Sequence, residues 1–369
     1  MLFDPDVKIN KKDLFDRVRE LEEITNAIKS KERLIVIYGV RRVGKTSLIN
    51  VALREIGEPF VIIDVRALYF ESGFKISAES ILVDEFLRKL KEYKGLFEKL
   101  GDKLAELISR IESISAGPLE IKVKKGKRPR LTVMLNEINN WCDKHGRIFI
   151  VAFDEAQYLR FSNKRFDLLL SWSIDNLKNI FFVITGSEVG LLRDFLKLDS
   201  EDSPLRGRVR REIFLDRFTN EQSMEFLKRG FAEVGMNILE LEIEEIINEL
   251  DGIPGWLTLY GYYRTVRKLN HKETLNSVIE EGSAIVLSEL RKIIENSWAR
   301  YVAILKAIVS GLKRWKDIKA YVELRTGSIP DNRFSELLEK MVKYGYVKKI
   351  NGEYIIEDPI LKYTIINKL

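Results

Sequence analysis

The feature that most constrains this chain is an apolar run that leads into a glycine-rich motif. Leu34–Tyr38 is short and rich in β-branched residues, and the sequence GVRRVGKT that follows it fits GxxxxGK[ST] from Gly39 to Thr46. A helix is predicted over Ser47–Ile56, because Gly57 ends its pattern. A strand, a glycine-rich turn and a helix in this order are the context that separates a P-loop from a chance match.

Each residue type in this motif has a physical reason. The glycines let backbone N–H groups curl round a phosphate without a Cβ clash, and the helix N-terminus directs its partial positive charge at the same phosphate. Lys45 is expected to reach the β- and γ-phosphates of a nucleotide, and the Thr46 hydroxyl to ligate Mg²⁺. The predicted nucleotide-binding residues of the loop are Gly39, Arg42, Val43, Gly44, Lys45, Thr46 and Ser47.

An acidic pair ends a second apolar run. Asp154 and Glu155 directly follow Ile148–Phe153. Asp154 is predicted to hold Mg²⁺, directly or through water, and Glu155 to polarise the attacking water as a general base. No Asn/Thr-Lys-x-Asp motif follows a predicted strand, which disfavours GTP. With Lys45 as the third catalytic residue, the two motifs predict hydrolysis of ATP to ADP and phosphate.

Two later segments offer less specific catalytic candidates. Thr185 and Ser187 follow the apolar run Ile180–Ile184, where either hydroxyl could contact the γ-phosphate or the water, although an ordinary strand-ending turn explains each of them equally well. Arg208 lies in a segment with four arginines before the last predicted strand. It could sense the γ-phosphate within the chain or from a neighbouring subunit, or belong to a basic surface loop.

Five apolar runs without in/out alternation are typical of parallel strands buried on both faces. With the helical patterns between them they predict a three-layer α/β domain over residues 1–217. A long insert at about 69–146 contains an amphipathic part (79–114) and a basic stretch (121–130), and we expect it to be an addition to the sheet rather than a single crossover. The five runs are Leu34–Tyr38, Phe60–Val65, Ile148–Phe153, Ile180–Ile184 and Ile213–Leu215.

The strand patterns stop before Thr219, which forms a capping box with Gln222 and begins a helix. Further helical patterns predict a helical domain over residues 218–297. Residues 298–369 contain three helical patterns and two β-rich runs around the hairpin signal Asn351-Gly352, which is the winged-helix arrangement.

The winged-helix segment carries the basic excess of the chain. It holds 14 Lys/Arg against 8 Asp/Glu, a net charge of +6 that equals the net charge of the whole protein. This excess predicts contact with duplex DNA. Glu336 and Glu339 on the third helix would repel phosphate, however, so a contact with a protein partner remains an equal alternative.

The motifs GVRRVGKTSLI, FDEAQ, TGSEVGLL and SPLRGR, in this order, resemble the archaeal ATPase family within the AAA+/STAND group. The resemblance implies a parallel sheet of order 5-1-4-3-2, a helical lid and a C-terminal winged helix. It also implies that the segment with Phe15 and Arg17 covers the adenine and that Pro254 contacts the base. The family's SPLYGR-type motif has an aromatic residue where this chain has Arg206, which leaves Arg208 as the better-matched functional arginine.

Composition argues against several other classes. One cysteine and two histidines speak against a disulfide framework, a thiolate metal cluster and a His-rich zinc site. No apolar run is long enough for a bilayer, and the N-terminus lacks the pattern of a signal peptide, so a cytoplasmic location without membrane contact is expected. The Lys- and Glu-rich charge with only two glutamines is typical of a thermophile.

The leading hypothesis is an ATPase whose nucleotide state repositions the helical and winged-helix domains, with assembly into a homo-oligomer as a further option. One alternative is a DNA-associated motor or loader. Another is a signalling switch with slow turnover that assembles on a protein partner without DNA. A small-molecule kinase is disfavoured by Glu155 beside Asp154 and by the lack of a substrate-cleft signature.

Overall fold

A computed structural model of the chain describes residues 1–73, 79–93, 130–162, 164–187, 189–294 and 297–369. Most of the predicted amphipathic part of the insert and all but the last residue of its basic stretch lie outside the described residues. Among the described residues, no helix is long and apolar enough to cross a membrane.

The first part of the chain forms the strands β1 (Leu34–Tyr38), β2 (Phe60–Asp64), β3 (Phe149–Asp154), β4 (Ile180–Gly186) and β5 (Arg211–Phe214). They pair in a five-stranded, fully parallel sheet with the order β2-β3-β4-β1-β5. The predicted order 5-1-4-3-2 is therefore confirmed. The central strands β1, β3 and β4 are buried along their whole length, as their unbroken apolar runs predict.

Helices cover both faces of the sheet and create two cores. In β1, for example, Ile35 and Ile37 pack into one core, and Val36 packs into the other. On the first face lie α1 (Val18–Lys29) and α2 (Lys45–Ile56). On the second face lie α3 (Val65–Glu71), α4 (Glu79–Leu90), α5 (Leu131–His145), α6 (Phe166–Asn176) and α7 (Val189–Leu196).

The described part of the predicted insert corrects one expectation. Helices α3, α4 and α5 connect β2 to β3 in the chain, and side chains of all three pack into the second core. These helices are therefore part of the crossover layer that buries the sheet, and not an addition to its outside. The expectation came from the length of the insert, whereas the apolar face of its helix α4 covers the sheet.

The remaining helices form the lid and the winged helix, which share one hydrophobic core. The predicted capping box of Thr219 and Gln222 is confirmed, and the first lid helix begins directly after Thr219. The lid contains α8 (Asn220–Ala232), α9 (Glu240–Leu250), α10 (Pro254–Thr265) and α11 (His271–Ile294). The winged helix contains α12 (Trp298–Val309), α13 (Trp315–Thr326), α14 (Asp331–Lys343), the hairpin β6 (Lys348–Ile350) and β7 (Glu353–Ile355), and α15 (Pro359–Asn367).

The N-terminal residues join the lid to the domain that contains the parallel sheet. The Phe3 ring is buried between Gly230 and Gly261, where a Cβ atom on either glycine would lie 2.2 Å from the ring. The chain then passes the P-loop, where the Lys8 backbone N–H donates to the Ser47 hydroxyl at 3.1 Å. The first residues of the predicted 1–217 domain thus belong in part to the core of the lid.

Candidate nucleotide-binding site

The P-loop connects the carboxyl end of β1 to the first turn of α2. Gly44 has a φ of +101° directly before α2, a conformation that L side chains rarely adopt. Gly39 is needed for space, since a Cβ there would lie 2.5 Å from the Leu215 carbonyl oxygen. The two glycines are therefore required by the geometry of the turn, and α2 begins at Lys45 with its amino end facing the cleft.

Lys45 is a buried cation at the centre of the site, with 4% of its side chain exposed. Its Nζ donates to the carbonyl oxygens of Gly39 at 2.9 Å and Val40 at 3.1 Å. It also lies 3.5 Å from Glu155 Oε1. A buried lysine needs such partners, and each of these oxygens can be exchanged for a phosphate oxygen.

Asp154 ends β3 between two hydroxyl groups that donate to it. Thr46 Oγ1 from α2 donates to Oδ2 at 2.6 Å, and Thr185 from the neighbouring strand β4 donates to Oδ1. Burial raises the pKa of Asp154 above its ordinary value, and the adjacent Glu155 charge adds to this effect. The free energy cost of the buried charge is lowered when a cation binds beside it.

The residues around Asp154 fit a magnesium ion. Mg²⁺ is held by one or two carboxylates together with water and substrate phosphates, and not by an all-protein cage. Asp154 and the Thr46 hydroxyl supply that small oxygen set, and within the described ranges no group of three or more His, Cys, Asp or Glu could hold a metal by itself.

Glu155 has a left-handed backbone, with a φ of +53°, and its carboxylate turns towards the end of β4. Its Oε2 accepts hydrogen bonds from Ser187 Oγ at 2.6 Å, from the Ser187 backbone N–H at 3.2 Å and from Gln157 Nε2 at 2.6 Å. Burial favours the neutral acid, but the Lys45 charge and the Ser187 and Gln157 hydrogen bonds outweigh it and lower the pKa of Glu155 to about 2. In this arrangement Glu155 is an ionised carboxylate paired with Lys45.

Two further polar residues complete this network: Thr185, which the sequence offered beside Ser187 as a candidate, and Gln157, which was not predicted to belong to the site. Thr185 donates to Asp154 and also accepts from the Glu155 backbone N–H at 3.1 Å, so its hydroxyl fixes both acidic residues. Gln157 is fully buried, and its Nε2 donates to the same Oε2 atom of Glu155 that accepts from Ser187. The signal for Thr185 is its place at the carboxyl end of the strand next to β3.

The segment predicted to cover the adenine lies at the other end of the loop. Phe15 packs edge-on against Phe218, with ring centroids 5.4 Å apart. The Arg17 guanidinium donates to the backbone carbonyl oxygens of Val43 at 3.3 Å and Asp216 at 2.8 Å. Arg17 therefore stabilises the backbone of the P-loop, while the Phe15 ring lines the cleft.

The lid contacts the P-loop directly. Pro254 is the first residue of α10, and the next N–H group, that of Gly255, donates to the Arg42 carbonyl oxygen at 2.9 Å. The Arg42 guanidinium lies 4.0 Å from the centre of the Trp256 ring, which is a cation–π distance. The side chain of Arg42 is thus directed to the lid, and only its backbone belongs to the turn.

These parts enclose one cleft of about 1030 Å³. Its walls combine the P-loop with the acidic pair, Ser187, residues of the lid and the α14–β6 turn of the winged helix. The predicted site residues that line it are Phe15, Arg17, Arg42, Val43, Gly44, Lys45, Thr46, Ser47, Asp154, Glu155, Ser187 and Pro254.

Arg208 is placed elsewhere, which is incompatible with the expectation that it senses the γ-phosphate within its own chain. It precedes β5, at the amino edge of a parallel sheet whose carboxyl edge holds the P-loop. Its Nη2 lies 2.5 Å from Asp175 Oδ2, near the end of α6. Sequence spacing identifies the segment before a strand but not the edge of the sheet on which it lies. A role from a neighbouring subunit stays a prediction.

Comparison with known proteins identifies the family. Residues 14–259 match the family model described as an ATPase domain predominantly from Archaea. This chain belongs to that archaeal ATPase family. Residues 295–356 also match the model of the MCM protein C-terminal winged helix-turn-helix domain.

Relatives of this archaeal ATPase agree with the assignment. A structure of a Walker-type ATPase of Pyrococcus abyssi is 35% identical, with a TM-score of 0.83, and the match covers 99% of this chain and 100% of the other. An uncharacterized ATP-binding protein of Pyrococcus abyssi is 25% identical over 76% of this chain and 81% of its own. The ORC2 protein of Aeropyrum pernix (14% identity, TM-score 0.62, 99% and 96% coverage) shares the fold. The protein is thus an ATP-binding ATPase with a winged helix.

Proposed function

We propose that this archaeal ATPase hydrolyses ATP with Mg²⁺ at the P-loop cleft, and that its nucleotide state sets how the lid and the winged helix pack against the ATPase domain. The observation that carries the proposal is the cleft itself, which is lined by all three parts of the chain. A nucleotide bound there would contact each of them. The lid residue Pro254 beside the P-loop supports the STAND type of ATPase.

The proposed hydrolysis depends on the pairing of Lys45 with Glu155. Incoming phosphates offer Lys45 oxygens with more negative charge than Glu155 has, so the lysine exchanges its partner. The Glu155 carboxylate, still held by Ser187, then becomes available to orient a water molecule and accept its proton. A bound Mg²⁺, held by Asp154 and Thr46, would neutralise phosphate charge.

The proposed movement depends on the segment at the end of β4, where Ser187 donates to Glu155. Gly190, three residues later, lies so close to α14 that a Cβ on it would be 2.9 Å from the Lys343 Cα atom. The Lys343 ammonium also lies 2.6 Å from Asp194 Oδ2 of α7. Helix α14 of the winged helix therefore contacts the chain segment that follows Ser187, on the side of the site where the γ-phosphate is expected. A change at Ser187 can in this way alter how the winged helix docks.

The lid and the winged helix are expected to move as one unit. Helix α15, which the sequence patterns did not predict, packs against α11 of the lid. The Thr364 hydroxyl donates to Ser283 at 2.9 Å, and Lys368 lies 2.9 Å from Glu280. The direct test of the proposed movement is a distance measured between the ATPase domain and α15 in ADP and ATP states, as described below.

Duplex DNA is the second candidate partner, and the basic surface of the winged helix favours it. In this arrangement several of its cations form ion pairs within the protein. Lys343 pairs with Asp194, Lys348 lies 3.1 Å from Glu357, and Arg333 lies 2.7 Å from Glu336. Lys343 would have to exchange Asp194 for a phosphate, and moving the α14 face away from α7 would release it. We therefore propose weak, non-specific DNA binding that increases when the winged helix is undocked.

The DNA candidate predicts a particular salt dependence. Contacts from Arg333, Lys340, Lys343, Lys348 and Lys349 would give a log–log slope of roughly −3 to −5. Replacing Lys348 and Lys349 with alanine is expected to reduce this slope by about 2 for every duplex sequence, because phosphate contacts carry no base information. Fluorescence anisotropy with two unrelated duplexes over a salt series measures it.

The matched control replaces Lys362 of α15 and Lys272 of α11, two exposed lysines outside α14 and the hairpin, and it should leave the slope unchanged. Absence of binding at low salt would remove the DNA candidate. The basic face would then be a docking surface for an acidic protein partner, in the signalling-switch alternative.

A further inference from the structure

An acidic side chain of the lid lies in the cleft where phosphates are expected. Glu289 of α11 lines this cleft, with 18% of its side chain exposed. It forms an ion pair with Arg41 of the P-loop and lies 3.7 Å from Arg66 Nη2 of α3. A carboxylate in a polyphosphate site would repel the ligand. Its presence there requires an explanation beyond lid packing.

Both arginines follow the carboxyl ends of strands, at the edge of the sheet where the γ-phosphate of a bound nucleotide is expected. Arg41 is inside the P-loop, four residues before Lys45. Arg66 is the second residue of α3, directly after β2, whose last residue pairs with Asp154 in the sheet. Both arginines line the same cleft as Lys45 and Asp154, and both are engaged by one carboxylate of the lid.

We propose that Arg41 is a specificity-determining residue that exchanges Glu289 for the γ-phosphate of ATP, with Arg66 assisting, and that ADP leaves the pair with Glu289 intact. This exchange rests on the proposed function, because it is the event through which bound ATP would move the lid. A γ-phosphate offers a planar guanidinium more negative charge and more acceptor oxygens than one carboxylate does. ADP has no group at that position and cannot compete.

The exchange has a mechanical consequence for the lid. Once Arg41 turns to the phosphate, Glu289 remains half-buried beside a polyanion and without its main partner, which is an unfavourable state. Moving α11 away from the P-loop relieves this repulsion between Glu289 and the phosphates. Because Glu280 on the same helix binds Lys368 and the Tyr363 hydroxyl, at 2.9 Å and 2.5 Å, the winged helix follows α11.

The test compares the affinities of two nucleotides for each variant. Mg-ADP and a Mg-bound non-hydrolysable ATP analogue are titrated into the full chain by calorimetry. Arg41→Ala is expected to lower affinity for the analogue about tenfold or more, the usual size for losing a charged hydrogen bond, and to change ADP affinity less than about threefold. Glu289→Gln is expected to raise affinity for the analogue about threefold or more, with ADP affinity nearly unchanged. In the Arg41→Ala background this gain should largely disappear, because the two side chains act on each other.

The lid provides a matched control in the pair Arg264 and Glu242, whose distance is 3.2 Å and whose exposed fractions are 23% and 17%. The Arg41–Glu289 pair has nearly the same exposure. Glu242→Gln should therefore reproduce any general loosening of the lid without changing the ratio of the two affinities. Arg41→Lys, which keeps the charge and the fold, should retain part of the preference for the analogue.

Two outcomes would overturn the role of Arg41 and Glu289 while leaving the proposed function intact. One is an equal change in ADP and analogue affinity in Arg41→Ala and Arg41→Lys, and the other is a Glu289→Gln protein that behaves like Glu242→Gln. A wild-type protein that binds neither nucleotide would overturn the proposed function as well.

Discussion

Replacing Glu155 with glutamine is expected to slow steady-state ATP turnover by about 100-fold or more, the usual size for losing a general base. The amide has the same shape and can keep hydrogen bonds with Ser187 and Gln157, but it cannot accept a proton from water. ATP and Mg²⁺ should still bind, because neither Lys45 nor Asp154 is changed. Phosphate release at saturating ATP measures the effect.

The control for this experiment is Glu58→Gln. Glu58 lies beside Arg147 at 2.9 Å, at the amino edge of the sheet and away from the cleft, so turnover should stay unchanged. If Glu155→Gln hydrolysed ATP as fast as the wild type, Glu155 would be a bystander. The water would then be positioned by another group of the network, such as Ser187.

Replacing Lys45 with alanine should remove most of the affinity for both ADP and ATP. The phosphates would lose a buried, charged hydrogen-bond donor, a change that costs about 2–5 kcal/mol, which is roughly 30-fold or more in the dissociation constant. Isothermal titration calorimetry with ADP measures it. The loss should be similar for both nucleotides, in contrast to the selective effect expected for Arg41.

Lys45→Ala also leaves Glu155 buried without its cationic neighbour, so a melting curve has to accompany the titration. Lys29→Ala, an exposed lysine in the last turn of α1, serves as the control and should bind ADP normally. A Lys45→Ala protein that is folded and binds ADP with wild-type affinity would place the nucleotide site somewhere else in the chain.

The parts of the fold that the sequence predicted are those with a strong local signal. The buried strands are continuous apolar runs, because helices cover both faces of the sheet, and the P-loop glycines are fixed by backbone geometry. The capping box at Thr219 and the hairpin at Asn351-Gly352 likewise depend on neighbouring residues only. The acidic pair could be found because it directly follows such a strand.

The parts that could not be predicted depend on contacts between distant segments. Phe3 fills a space between two lid helices more than 220 residues away in the chain. Helix α15 has a weak pattern of its own and is stabilised by packing on the lid. Arg208 matched a family motif, but only the parallel topology shows that it lies at the opposite edge from the P-loop. The pairing of Arg41 in the P-loop with Glu289 in α11 also joins two segments that are far apart in the chain.

The most direct test of the proposed movement is a distance between two spin labels, one on each side of the cleft. Leu168 on α6 and Ile366 on α15 are exposed and can be replaced by cysteine. The only native cysteine, Cys142, is buried, and burial raises its pKa to about 12, so it reacts slowly with a thiol label. The Glu155→Gln background should keep ATP bound during the measurement.

In this doubly labelled protein, we expect Mg-ATP to shift the distance distribution away from the one measured with Mg-ADP. Adding Glu289→Gln should move the ADP distribution towards the ATP one. Identical distributions with ADP, with ATP and without nucleotide, in a protein shown by calorimetry to bind both nucleotides, would contradict the proposal that nucleotide state repositions the lid and the winged helix.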